Sequence, residues 1–367
     1  MANKLNIQRP TLLLDQQRAM ANLEKMTRKA QRSGIRFRPH FKTHQSAQLG
    51  EWFREFGIGA ITVSSVEMAL YFARHGWQDI TIAFPVNILE IEAINRLAGQ
   101  IELGLLVESA ATVDFLAQNL RAEAGIWLKV DTGYGRTGVN WSDFDRLTAL
   151  ARQVETTPQL ALRGLLTHAG HTYRARSQAE VEAIYHDTVA RMQAIRDRLA
   201  AAGLGRVELS IGDTPGCSVV ENLSAVDEIR PGNFIFYDLM QLQIGTCREE
   251  DIAVAVACPV VAKHPAQHKL IIYGGAVHLS KEFLTADDGS SIFGYVAPLT
   301  DIGWGPRLEN VFVSGLSQEH GVIQAEADAI NRFQLGEVVA ILPVHSCLTV
   351  NLLGKYLTLA GETYECM

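Results

Sequence analysis

The sequence predicts an α/β protein in which a (β/α)8 TIM-like barrel is followed by a C-terminal antiparallel β domain. In the first two-thirds of the 367-residue chain, short segments rich in Val, Ile and Leu alternate about eight times with stretches of helical periodicity. That alternation is the pattern of parallel βαβ units, which a closed barrel satisfies economically. From about Gln243, strand-like segments separated by Gly, Pro and Asp follow one another with few helical intervals, as in an antiparallel sheet.

The elements of the first part follow from this pattern in order. The predicted strands are Thr11–Leu14, Arg36–Arg38, Ile58–Val63, Asp79–Ala83, Ile101–Leu106, Gly125–Val130, Leu160–Leu166, Val207–Ser210 and Glu228–Arg230. The predicted helices between them are Gln16–Ser33, Ser65–His75, Ser109–Gln118, Trp141–Gln153 and Gln178–Ala202. A doubly wound open sheet would fit the same alternation. However, no glycine-rich dinucleotide-binding motif follows an early strand, which favours the barrel.

The second part contains strand patterns of a different kind. They lie at Ile252–Val261, Lys269–Tyr273, Glu309–Ser314, Val338–Leu342 and Tyr356–Leu359. No long Ser, Gly or Pro linker separates the two parts, so we expect them to pack together.

Composition limits the partners that the chain could have. The net charge of -7 and the pI near 5.9 argue against a nucleic-acid partner. No apolar run reaches membrane-spanning length and no signal-peptide core is present at the N-terminus, so we expect no membrane association. The 5 cysteines are scattered and odd in number, which is typical of reduced thiols. These features predict a soluble, cytoplasmic protein.

One lysine stands in an unusual setting. The run Arg38-Pro39-His40-Phe41-Lys42-Thr43-His44 lies where a predicted strand gives way to a helical pattern. Lysine amines form Schiff bases with carbonyl cofactors, and a desolvated or cation-flanked lysine deprotonates more readily. Lys42 is therefore a candidate catalytic amine, although a lysine beside histidines is also common as a solvated surface group.

Polar residues and glycines also gather where four other predicted strands end. These clusters are Lys129–Gly138, Thr167–Tyr173, Ser210–Gly216 and Glu228–Asn233. Taken singly, each cluster is also good turn chemistry. In barrel enzymes, however, active sites are built from the loops at the carboxyl ends of the strands. The backbone N–H groups and the hydroxyl of the third cluster are suited to bind an anion.

In combination, these motifs resemble the fold-type III pyridoxal-phosphate enzymes. The motifs are Arg-Pro-His-x-Lys-Thr-His, Lys-x-Asp-Thr-Gly-x-x-Arg-x-Gly, Thr-His, Gly-x-Thr-Pro and Arg-Pro-Gly. Their order is similar to that of the D-threonine aldolase and D-serine dehydratase group; alanine racemases share the plan but differ around the lysine. The resemblance implies a pyridoxal-phosphate-binding barrel over residues 15–242 and a β domain formed by residues 1–14 and 243–367. It also implies a homodimer.

The resemblance implies roles for individual residues. Lys42 would hold pyridoxal phosphate covalently and act as the base at the substrate α-carbon. The other catalytic candidates are His168, expected against the pyridine face, and Tyr173, and both are also cofactor-binding candidates. The remaining cofactor-binding candidates are Arg136 near the ring hydroxyl, Gly212, Thr214, Gly232 and Asn233 around the phosphate, Tyr237 as a further donor, and Arg230 beside the ring nitrogen. An arginine there weakens the electron sink, so another group must help to stabilise developing charge.

A metal is the candidate for that group. His345 and Cys347 follow a predicted strand, and residues two apart on a strand point to the same side. Imidazole and thiolate prefer zinc, with Mn²⁺ or another divalent cation as the alternative. An isolated His-x-Cys pair is usually incidental, but this one matches the metal motif of the dehydratase-like group. Glu319 and His320 match a further family segment and are expected near the site.

The resemblance implies a lyase that acts on small β-hydroxy D-amino acids. We expect dehydration of D-serine, D-threonine or D-3-hydroxyaspartate to a 2-oxo acid and ammonia. The alternative is a metal-dependent D-threonine-type aldolase that gives glycine and an aldehyde. An alternative of another class is a non-catalytic protein of pyridoxal-phosphate homeostasis; such chains lack the β domain and the metal motif.

Overall fold

The computed structural model describes residues 5–286 and 288–367, which form two compact units. We call Glu24–Lys42 and Gly50–Gly232 the barrel unit. The β unit comprises residues 5–23, Thr43–Leu49 and Asn233–Met367. The chain therefore passes from one unit to the other directly after Lys42 and directly after Gly232.

The barrel unit is built on a parallel sheet. Its strands are β2 (Arg36–Phe37), β3 (Ala60–Val63), β4 (Asp79–Pro85), β5 (Glu102–Val107), β6 (Ala124–Asp131), β8 (Leu160–Thr167), β9 (Glu208–Ile211) and β10 (Glu228–Ile229), with β7 (Val139–Asn140) beside β6. Their order is β2-β10-β9-β8-β6-β5-β4-β3. A parallel bridge between His40 and Thr62 joins the two ends of this order, so the sheet closes into a barrel.

Helices follow most of these strands. They are α1 (Gln16–Ser33), α2 (Ala47–Glu55), α3 (Val66–Arg74), α4 (Ile91–Ala98), α5 (Ala110–Asn119), α6 (Phe144–Glu155), α7 (Gln178–Ala201) and α8 (Thr214–Val219). Several begin at a side-chain cap: Ser65, Ser109 and Ser177 each accept a hydrogen bond from a backbone N–H three residues later. Strand residues such as Ile61, Leu105 and Leu128 are fully buried, which explains the continuous apolar runs of the sequence.

The β unit contains a ten-stranded sheet. Its elements are β1 (Thr11–Leu14), α9 (Leu239–Ile244), β11 (Val254–His264), β12 (Lys269–Tyr273), α10 (Ala276–Leu279), β15 (Gly294–Thr300), β16 (Gly303–Trp304), β17 (Phe312–Leu316), β18 (His320–Gln324), α11 (Ala327–Arg332), β19 (Val338–Pro343), α12 (Ser346–Leu353), β20 (Lys355–Thr358) and β21 (Thr363–Glu365). A separate hairpin joins β13 (Leu284–Thr285) to β14 (Ser291–Ile292). The first strand, β1, pairs antiparallel with β11 and parallel with β20, as expected.

The fold class predicted from the sequence is confirmed. Most predicted strands and helices lie within a few residues of the observed ones. The elements that were not predicted are helices α2, α4 and α8 to α12 and strands β7, β13 to β16, β18 and β21. The domain limits at residues 15 and 242 stay a prediction. Within the described residues, the helices are too short or too polar to cross a membrane.

Candidate active site

Lys42 lies just after β2, at the carboxyl end of a barrel strand. Its side chain is half-buried, and its backbone N–H donates to Nδ1 of His40 at 3.4 Å. The preceding Phe41 is fully buried, with its ring 4.8–5.0 Å from three aromatic rings, Phe53, Phe72 and Trp77. This aromatic cluster anchors the backbone on the N-terminal side of the lysine.

Positive charges gather around Lys42 within the barrel unit. Burial and the charges of Lys42 and Arg230 lower the pKa of His40 well below its ordinary value. Burial, Lys42 and Arg136 do the same for His168. Both imidazoles are therefore neutral at physiological pH, and the cationic groups give the site an affinity for anions.

Neutral His168 has a defined orientation. Its Nδ1 donates to the carbonyl oxygen of Gly212, which leaves Nε2 as a hydrogen-bond acceptor. Its ring centroid is 6.1 Å from that of Tyr173 and 5.9 Å from that of Tyr134, and the Arg136 guanidinium carbon lies 5.3 Å from the Tyr134 centroid. Tyr134 thus connects the two clusters that contain Arg136 and His168.

Arg230 is held by a chain of buried polar groups. Its Nε donates to the Ser210 hydroxyl at 2.7 Å, and that hydroxyl donates to Glu228 at 2.7 Å. The second oxygen of Glu228 accepts from Nε of Arg38, also at 2.7 Å. Burial lowers the pKa of Arg230 to about 10, an effect that the nearby Glu228 carboxylate opposes, so Arg230 keeps its charge at neutral pH.

Gly212 and Thr214, two of the residues expected around the phosphate, lie close to Tyr173. The backbone N–H of Thr214 donates to the Tyr173 hydroxyl at 3.4 Å. The Thr214 hydroxyl is buried and has no hydrogen-bond partner among the described residues. A Cβ at Gly212 would lie 2.9 Å from a terminal nitrogen of Arg230. A buried hydroxyl without a partner, next to a turn that contains glycine, is suited to bind a phosphate oxygen, so these residues are compatible with pyridoxal phosphate.

The β unit brings His345 and Cys347 together, but the predicted strand geometry was wrong. The strand ends at Pro343; His345 is the N-cap of α12 and Cys347 lies in the first turn of that helix. Burial lowers the pKa of His345, but the adjacent Cys347 thiolate and the Asp238 carboxylate outweigh it and raise that pKa to about 11. The three side chains therefore interact directly.

Asp238 organises this part of the β unit. One of its oxygens lies 3.6 Å from Nδ1 of His345 and accepts from the Ser346 N–H at 3.0 Å. Asn233 donates to the same oxygen at 2.6 Å and contacts the Cys347 sulfur at 3.6 Å. Tyr237 is buried, with an unusual φ of 48°. Gly232 is half-buried at the end of the barrel unit.

The His345 and Cys347 pair is chemically suited to a metal, whose binding would displace the imidazole proton that the neighbouring Cys347 and Asp238 favour. Nδ1 of His345 is buried without a hydrogen bond, and a carboxylate behind a ligating histidine is a common arrangement in zinc sites. No group of three or more His, Cys, Asp or Glu side chains in the described part of the chain is arranged to hold a metal ion. A metal here would thus take its remaining ligands from water or substrate. Glu319 lies 3.7 Å from His278, and His320 is exposed at the start of β18.

Several polar residues of the site were not predicted from the sequence. Asp238 is separated from Ser346 by 108 residues, and its only local signal is that of a helix cap. Lys129 lay within a recognised motif, but its burial was not foreseen. Burial and the charges of Arg230 and Arg136 lower the pKa of the Lys129 amine to about 7.

Comparisons with known proteins agree with this architecture. A family model described as "Alanine racemase, N-terminal domain" matches residues 14–239, and a serine dehydratase domain model matches residues 253–359. D-threo-3-hydroxyaspartate dehydratase of Delftia sp. (strain HT23) is 30% identical over 98% of this chain and 96% of its own length. D-serine dehydratase of Dictyostelium discoideum is 26% identical over 96% and 93%, and D-threonine aldolase of Arthrobacter sp is 26% identical over 94% and 86%.

Comparison with solved structures also finds similarity to D-threo-3-hydroxyaspartate dehydratase. The Delftia sp. HT23 dehydratase matches with a TM-score of 0.91 and 28% identity, over 99% of this chain and 98% of that one. Two other structures of D-threo-3-hydroxyaspartate dehydratase each carry one alanine substitution. One replaces a histidine. The other replaces a cysteine two positions further along and is described as the metal-free form.

Proposed function

We propose that this chain dehydrates β-hydroxy D-amino acids. The chain belongs to the D-serine dehydratase-like family of fold-type III pyridoxal-phosphate enzymes. Family membership makes the chain a pyridoxal-phosphate-dependent lyase for small D-amino acids. The substrates that we propose are D-3-hydroxyaspartate, D-serine and D-threonine, with a 2-oxo acid and ammonia as products.

The observation that carries the choice of dehydration is that His345 and Cys347 match in residue type and spacing a pair in D-threo-3-hydroxyaspartate dehydratase. A histidine and a cysteine with the same spacing were the residues replaced in the hydroxyaspartate dehydratase, and loss of that cysteine accompanies a metal-free form. We propose that His345 and Cys347 hold zinc, with Asp238 orienting the histidine. A bound zinc would act as a Lewis acid that makes a hydroxyl a better leaving group.

The barrel residues have separate roles in the proposed reaction. Pyridoxal phosphate, when bound, withdraws electrons from the substrate α-carbon and makes its proton acidic. Lys42 would hold the cofactor, and its amine would take the α-proton of the substrate. Loss of the α-proton and the β-hydroxyl removes one water from the substrate and leaves an enamine. The freed enamine tautomerises to an imine, and one water hydrolyses the imine to the 2-oxo acid and ammonia.

The other candidates bind and orient. Arg230 stays charged and is held by Ser210, so it supplies positive charge and not a proton. His168 is kept neutral, with Nδ1 engaged by Gly212, and therefore presents a fixed face to the cofactor ring. Thr214 offers its hydroxyl to the phosphate.

The test is a product assay on the purified protein. D-threo-3-hydroxyaspartate, D-serine and D-threonine are each supplied with pyridoxal phosphate and Zn²⁺, and 2-oxo acid, ammonia, glycine and aldehyde are measured. We expect 2-oxo acid and ammonia in equal amounts. A base on one face of a planar adduct reaches the α-proton from one side only, so L-serine should not react. Equal rates on D- and L-serine, or no turnover, would contradict the proposal.

An aldolase is the second candidate. The Arthrobacter relative is named D-threonine aldolase, and the same metal pair could instead support removal of the hydroxyl proton, which cleaves the Cα–Cβ bond. Glycine and an aldehyde as main products would establish this alternative. A homodimer and a cytoplasmic location stay predictions.

A further inference from the structure

The segment that follows Lys42 has an unusual backbone. Residues Thr43–Gln48 belong to the β unit, and Thr43, His44 and Ser46 are buried. Gln45 has a φ of 51°, in the left-handed region that non-glycine residues rarely adopt. Such a conformation persists only where the surrounding structure enforces it, and it is typical of functional sites. We call Thr43–Gln48 the post-lysine segment.

The β20–β21 hairpin supplies the contacts that enforce this conformation. The buried Tyr356 hydroxyl donates to the His44 carbonyl at 2.7 Å, and the Cys366 thiol lies 3.6 Å from the same oxygen. The backbone N–H of Met367 donates to the Gln45 carbonyl at 2.8 Å. Two consecutive carbonyls of the post-lysine segment are thus held by residues more than 300 positions away in the sequence.

The hairpin itself is firmly placed. Strand β20 pairs with β1 on one side and β21 on the other, and Tyr356 is fully buried with its ring 5.7 Å from that of Phe236. The Glu365 N–H also donates to the Gln48 side chain at 3.1 Å. These contacts fix the post-lysine segment to the rigid sheet of the β unit.

A second set of contacts comes from α12. The Thr43 hydroxyl lies 3.2 Å from the Cys347 sulfur, and the Gln45 side chain donates to Asn351 at 3.3 Å. Thr43, the residue next to Lys42, thus lies within hydrogen-bond distance of Cys347, a proposed metal ligand. The post-lysine segment is held on one side by α12 and on the other by the hairpin.

We propose that Tyr356 and Met367 are positioning residues for Lys42, and we call the Tyr356 hydroxyl and the Met367 backbone N–H the brace. By holding the His44 and Gln45 carbonyls, the brace sets the backbone from which the Lys42 amine projects. The inference rests on the proposed function, in which Lys42 holds the cofactor and takes the α-proton. A displacement of about 1 Å at a catalytic group can lower a rate about a hundredfold, so the brace matters for turnover more than for substrate binding.

Two substitutions remove single contacts of the brace. Tyr356→Phe deletes only the hydroxyl, and its matched control is Tyr364→Phe, which deletes a hydroxyl bonded to the exposed Glu362. Met367→Pro removes the N–H that Gln45 accepts, and Met367→Ala, which keeps this N–H, is its control. The holoenzyme of each variant is assayed for kcat, KM, the absorbance spectrum of the bound cofactor, borohydride fixation on Lys42 and melting temperature.

We expect both brace variants to lose kcat by about tenfold or more while KM changes little. We also expect slower borohydride fixation and an altered cofactor spectrum, while both controls match the wild type. Unchanged kcat and fixation in the brace variants would overturn the inference, as would a lower melting temperature with unchanged kcat and spectrum. Equal losses in the controls would overturn it too. If borohydride fixes no cofactor on Lys42 of the wild type, the proposed function fails and the brace with it.

Discussion

Replacement of Gly212 by alanine should disturb the Arg230 side of the cofactor site. The added Cβ would lie 2.9 Å from a terminal nitrogen of Arg230, so the guanidinium must retreat by about 0.5 Å to reach ordinary van der Waals distance. It cannot do so freely, because its Nε donates to Ser210 at 2.7 Å and a terminal nitrogen donates to the Thr167 carbonyl at 2.5 Å.

The structure sets the expected size of this effect. Overpacking of this kind costs about 1–3 kcal/mol in the free energy of unfolding. We also expect the Kd for pyridoxal phosphate to rise about tenfold, which corresponds to about 1.4 kcal/mol, because the displaced guanidinium is the one expected beside the ring nitrogen of the cofactor. Urea denaturation of the cofactor-free protein measures the first quantity, and titration with pyridoxal phosphate followed by absorbance measures the second.

Gly205→Ala is the matched control. A Cβ there meets nothing within 4 Å and the backbone φ is not positive, so this substitution should stabilise the protein by about 0.4–1 kcal/mol through the unfolded chain. The two alanine substitutions are therefore expected to change stability in opposite directions. If Gly212→Ala matches Gly205→Ala in both stability and cofactor affinity, the close approach of Arg230 to Gly212 does not constrain the site.

Three further predictions concern the lysine, the metal and a buried acid. Borohydride reduction should fix the cofactor on Lys42, and the Lys42→Ala variant should bind cofactor weakly and lose turnover. Peptide mapping that finds the label on another lysine would refute the assignment of Lys42. Chelation should abolish activity while the absorbance of the bound cofactor persists. Cys347→Asp should shift the activating ion from zinc towards manganese. Full activity of the metal-free protein would contradict the role of the metal. Burial raises the pKa of the Asp213 carboxyl from 3.8 to about 6, so the folded state binds this proton more tightly than the unfolded state. Its contribution to the free energy of unfolding is therefore lost as pH rises from about 4 to about 6. Asp213→Asn should flatten the dependence of the free energy of unfolding on pH across that window. Parallel pH profiles of the variant and the wild type would show that Asp213 is not the group responsible.

The sequence alone was sufficient for the fold class, and it placed the candidate site residues of the barrel at predicted strand ends. Periodicity and β-branched runs are local properties, so strands such as Leu160–Thr167 and helices such as Gln178–Ala201 could be located to within a residue or two. The motifs around Lys42, Arg136 and His168 lie at the ends of predicted barrel strands. Barrel topology by itself brings such loops to one face.

Only the tertiary structure decided which distant groups meet. His345 and Cys347 were expected on a strand, but a helix begins at Ser346, where its N–H is accepted by Asp238 at 3.0 Å. That carboxylate is 108 residues away in the sequence. The carbonyls after Lys42 are likewise held by Tyr356 and Met367. Hydrophobic periodicity reports which face of an element is buried, whereas the partner of a polar group depends on how the elements pack, and no local pattern encodes that.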